Sequence, residues 1–65
     1  MKNITFTLQQ LNEQGQFEVL ETVVTQSKKQ PTTMFMLFET LKKKGEVVKI
    51  EKWVEGSNGV ELLKW

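Results

Sequence analysis

The chain has no cysteine and no histidine, and none of its 65 residues is arginine, aspartate, tyrosine or alanine. Each absence removes a class of function. Without thiols or imidazoles there is no disulfide and no soft-ligand metal centre, so a domain near the lower size limit for independent folding depends on packing or association alone. Without histidine neither a Ser–His–Asp nor a Cys–His constellation exists, and all eight carboxylates are glutamates that nothing in the sequence draws together for acid–base work. The four glycines, Gly15, Gly45, Gly56 and Gly59, show no phosphate-cradling spacing such as GxxxxGK. The expectation is a non-enzymatic protein with no cofactor and no metal.

Long hydrophobic runs are also missing. The longest is Met34 to Phe38, five residues, far short of a membrane span, and KNITFTLQQ near the start lacks the apolar stretch of a signal peptide. A cytoplasmic setting without membrane contact is therefore expected. Charge is nearly balanced at +1, and its distribution is uneven. Residues 28–44 hold Lys28, Lys29, Lys42, Lys43 and Lys44 against Glu39 alone, whereas both flanking segments carry more Glu than Lys.

What is present reads as strands around one helix. Ile4, Phe6 and Leu8 alternate with Thr5 and Thr7, the period-two pattern of a strand with one buried face. NEQG at 12–15 is a turn, with Gly15 free to take a positive φ. QFEVLETVVT at 16–25 favours a second strand through its valines and threonines, although a helical spacing (Phe17, Leu20, Val24) also exists. Phe17, Val19 and Val23 share a parity that Glu21 interrupts, which a β-bulge would repair. The single proline, Pro31, suits a helix start; Lys42–Lys44 suit the carbonyl end of the helix, and Gly45 its stop. EVVKIEKWVE, the turn GSNG at 56–59 and VELLKW then form a second hairpin.

This order predicts a single α+β domain over residues 1–65, ββαββ, with a four-stranded, mostly antiparallel sheet and the helix packed on one face. In element order it resembles the β-grasp fold, which implies that the first and last strands lie side by side and parallel at the centre. The helix ending in LKKKG and the hairpin after it also look like the recognition helix and wing of a winged-helix protein. The supposed recognition helix presents MFMLF where polar side chains should meet base edges, and strands stand in place of the supporting helices.

On a helical wheel Met34, Leu37, Phe38 and Leu41 form one stripe, Phe35 lies at its edge, and Met36 lies opposite. A lone exposed methionine is ordinary; beside Phe35 it also offers a soft contact for a partner. Trp53 is out of phase with Val48, Ile50 and Val54, as Leu63 and Trp65 are with Val60 and Leu62. Either bulges bring these groups into the core, or the sheet's helix-free face carries Trp53, Val47, Leu63, Trp65 and Leu20 as an interface. The leading expectation is a protein–protein interaction module that self-associates, a dimer being favoured, with Trp53, Val47, Leu63, Trp65, Leu20, Phe35 and Met36 as contacts. By analogy of size it belongs with small accessory, inhibitor or adaptor proteins of phages and mobile elements. The alternative is nucleic-acid binding through Lys28, Lys29, Lys42, Lys43 and Lys44, although arginine, the usual reader of guanine, is absent.

Overall fold

The computed structural model describes residues 2–65. Its elements are β1 (Ile4–Leu11), β2 (Phe17–Thr25), α1 (Thr32–Lys43), β3 (Val48–Val54) and β4 (Glu61–Lys64). They form one four-stranded sheet of order β2-β1-β3-β4 in which every neighbouring pair is antiparallel. The expected α+β architecture is the observed one.

The centre of the sheet differs from the β-grasp arrangement. β1 lies against β3, antiparallel, and β4 is at the edge. Consequently β2 and β3 run parallel with β1 between them, and α1 is the crossover that joins them. Side-chain pattern explains the choice. β1 supplies Ile4, Phe6 and Leu8 to one face and β3 supplies Val48 and Ile50, so pairing these two strands puts two apolar rows side by side. β4 has four residues, and its Glu61 and Lys64 pair with Lys52 and Ile50 on that same side. It brings too little apolar surface to hold a central position.

Local chemistry sets the connections. In the first hairpin the Asn12 side-chain oxygen accepts hydrogen bonds from the Gln14 and Gln16 amides, both at 2.9 Å, and Gly15 adopts φ 80°. The helix opens at Pro31, whose carbonyl accepts from the Phe35 amide at 3.2 Å. It closes in a Schellman motif: the Gly45 amide donates to Lys42 O at 3.0 Å, the Glu46 amide to Leu41 O at 3.1 Å, and Gly45 takes φ 88°.

Met34 and Phe38 of α1 close over Ile4, Phe6, Leu8, Val48 and Ile50, with Val23, Phe35, Leu37, Leu41, Val54 and Leu63 packed around them. Phe35 and Leu63, expected at an interface, thus belong to the margin of the core. For Leu63 the cause is a register shift opposite Ile50 and Glu51, which leaves it as the extra residue between Leu62 and Lys64. A second shift, in the β1–β2 pairing between Leu8 and Gln9, leaves Leu20 as the extra residue on β2. The bulge that the parity of 16–25 asked for is therefore present, and that segment is a strand.

The outer rim of the helix is tied to the sheet edge. The Lys64 ammonium donates to the Glu39 carboxylate and lies 5.3 Å and 6.0 Å from the ring centres of Phe38 and Phe35. Lys64, by its hydrogen bond and then its charge, holds the Glu39 pKa below the ordinary carboxylate value, with Lys43 and Lys42 adding to the effect.

Two outcomes are expected. Leu8→Ala, at a site with no solvent exposure, should lower the free energy of unfolding by about 2–5 kcal/mol in urea titration. Because the folded-state pKa of Glu39 is depressed, its contribution is complete above the ordinary carboxylate range and disappears as pH falls through the folded value. Glu39→Gln should therefore narrow the gap in melting temperature between neutral and acidic pH, and an unchanged gap would remove Glu39 from the acid response.

Candidate interaction face

The register of the strands divides the side chains between two faces. Phe6 and its neighbours lie under the helix; Thr5, Thr7, Gln9 and Leu11 of β1 point to the other side, opposite Trp53, Glu51 and Lys49 of β3. On β2 the same side receives Val24 and Thr22 and, beyond the bulge, Val19 and Phe17. On β4 it receives Leu62, the partner of Glu51. No element of the described chain covers this face.

Its centre is polar and internally satisfied. The Gln9 amide nitrogen donates to Glu51 Oε1 at 2.6 Å and to Thr7 Oγ1 at 3.0 Å, and Lys49 Nζ is 3.3 Å from Glu51 Oε2. The Lys49 ammonium also lies 4.3 Å from the centre of the Phe17 ring. Apolar groups stand on either side of this row. At one end are Phe17, Val19, Leu11 and, just before β3, Val47; at the other are Trp53, Leu62 and Val24. Phe17, Val19, Val24, Val47, Trp53 and Leu62 all remain exposed.

Trp53 is held in place although it is 38 % exposed. Its indole N–H donates to the Ser57 carbonyl at 3.0 Å, and the Ser57 amide in turn donates to Val54 O at 2.9 Å. The ring is therefore pinned to the β3–β4 turn, and its apolar surface is presented at little further loss of side-chain entropy on binding.

The residues singled out by sequence are distributed as follows. Trp53 lies on the open face, and Val47 is at its margin, where its carbonyl accepts from the Leu11 amide at 2.9 Å. Leu20 is exposed at the β2 bulge, Trp65 follows β4 and is the most exposed of the large apolar residues among those described, at 79 %, and Met36 is exposed on the outer side of the helix. Lys42–Lys44 end the helix, while Lys28 and Lys29 lie in the connection before it, so the two groups form no continuous stripe. Val24, which alternation already assigns to this face, lies there, whereas Phe17, Val19 and Leu62 join it against the simple alternation of their strands. A bulge reverses the facing of every residue beyond it, and the only trace in the sequence is Glu21 standing in an otherwise apolar set.

Comparison with protein-family models, with curated proteins and with solved structures gives no significant match to this chain.

Trp53→Phe keeps an aromatic ring, though a smaller one, and deletes the donor. It should raise amide hydrogen exchange in the 55–59 turn and cost about 0.5–1.5 kcal/mol of stability, the range for one hydrogen bond. Unaltered exchange in the turn would show that the indole N–H is not what holds it.

Proposed function

We propose that this chain is a non-enzymatic protein–protein interaction module whose open sheet face pairs with a second copy, the dimer then serving as a small accessory protein that bridges or occludes a protein partner. One observation carries the reading. The helix-free face leaves Phe17, Val19, Val24, Trp53 and Leu62 exposed on either side of its polar centre.

Size and charge favour a second copy as the occupant. Four strands at about 4.8 Å spacing and about 25 Å in length give a face that removes roughly 1,000 Å² from water when two copies are apposed, the lower bound for a specific interface. The charged side chains contributed to this face by β3, Lys49 and Glu51, already neutralise each other, so two copies meet without like-charge repulsion and no acidic or basic partner is selected. Gln9 and Thr7 already hydrogen-bond within the monomer, so closing the interface does not strip them of all their partners. The wide spacing of Lys28 and Lys29 from Lys42–Lys44 supports nucleic-acid binding less well.

Light scattering across a concentration series up to about 1 mM, enough to reveal a micromolar Kd, tests the reading. Wild type should approach twice the monomer mass. Trp53→Ala and Val24→Lys should return the monomer with an unchanged circular dichroism spectrum, and Met36→Lys, outside the face, should leave the dimer intact. A wild type that stays monomeric throughout, or a monomer that binds oligonucleotides strongly and salt-sensitively, would overturn the proposal.

A further inference from the structure

On the helix side of the sheet a cleft of about 430 Å³ opens between the beginning of β1, the end of β3 and the connection that leaves β2. This volume lies in the range of sites for small molecules. Its floor is apolar, formed by Ile4 and Val54, which are cross-strand partners. Its walls are Lys2, Lys28, Lys52 and the amide side chain of Gln26.

The three lysines come from distant parts of the chain and meet here only through the β1–β3 pairing and the path of the β2–α1 connection. No carboxylate among the described residues forms an ion pair with any of them; the two ion pairs present are Lys49–Glu51 and Lys64–Glu39. The nearby Glu55 carboxylate instead accepts a hydrogen bond from the Asn3 amide at 3.0 Å, and Glu61, the cross-strand neighbour of Lys52, stays outside ion-pair distance of it. Three lysines line one cleft without a carboxylate paired to them, so an anion placed among them meets attraction.

The geometry points to a binding site for a phosphorylated small molecule of nucleotide size, with its phosphates among Lys2, Lys28 and Lys52 and its apolar part on Ile4 and Val54. Three positive charges exceed what one carboxylate balances, whereas a diphosphate spreads comparable negative charge over several oxygens that point-like ammonium groups can reach. A bare inorganic anion leaves the apolar floor unused. A nucleic-acid strand needs a basic track, and Lys29 and Lys42–Lys44 are not part of this cleft. The cleft lies on the opposite side of the sheet from the proposed dimer face, so neither result depends on the other.

Calorimetry and amide chemical-shift mapping with ADP, adenosine and inorganic pyrophosphate test it. ADP should bind one per chain and shift the amides of Ile4, Gln26, Lys28, Lys52 and Val54. Adenosine, lacking the charge, and pyrophosphate, lacking the apolar body, should each bind at least about tenfold more weakly. Lys28→Gln, in a connection outside any strand or helix, and Lys52→Gln should each weaken ADP by about three- to tenfold, and Lys43→Gln should not. The inference fails if millimolar ADP shifts none of these amides, if pyrophosphate matches ADP, or if a 5′-phosphorylated oligonucleotide of about ten residues binds more tightly in proportion to its length.

Discussion

One twelve-residue helix must cover a four-stranded sheet, and the consequences of that shortage run through the whole molecule. A helix with its side chains is about 10–12 Å across, the width of two or three strands. α1 therefore closes over the central pair, and the seven buried apolar residues among those described come from β1, β3 and the helix alone. Only Val23 of β2 and Leu63 of β4 reach the margin of that core. The edge strands are held by backbone hydrogen bonds and partial burial, which makes the β1–β3 apposition the part of the fold that everything else requires.

The same shortage creates two surfaces of opposite character. On the far side of the sheet nothing covers the side chains, and the strands respond with a polar, self-satisfied row of Thr7, Gln9, Glu51 and Lys49 flanked by apolar groups. On the helix side, the end of the sheet beyond α1 is left as a cleft with an apolar floor and lysine walls. One surface carries nearly balanced charge and broad apolar area, which suits a flat partner. The other is small, concave and positive, which suits a compact anion. Both belong to a scaffold that contains no histidine and no cysteine.

Electrostatics acts mainly at the edges of this scaffold. Lys64 joins the short β4 to the helix through Glu39 and through the faces of Phe35 and Phe38, and Lys49 joins β3 to Phe17 across the open face. In both places a lysine ammonium lies over an aromatic ring while it pairs with a carboxylate. Such contacts give the edge strands side-chain links that their small share of the core does not provide.

The local elements follow from residues close together in the chain. Asn12 and Gly15 specify a turn, Pro31 and Gly45 bound the helix, and the run from Met34 to Phe38 divides into buried Met34 and Phe38, half-buried Phe35 and Leu37, and exposed Met36, as helical spacing requires. These features were legible because they depend on interactions within a few residues. Tertiary structure alone decided that β3 and not β4 lies beside β1, that bulges put Leu63 against the core and Val19 and Phe17 on the open face, and that Lys2, Lys28 and Lys52 share a cleft. The physical reason is that alternation shows a strand to be two-faced but does not name its neighbour. Neighbours are chosen by the total apolar area that the one helix can cover, a quantity that exists only once all five elements are packed.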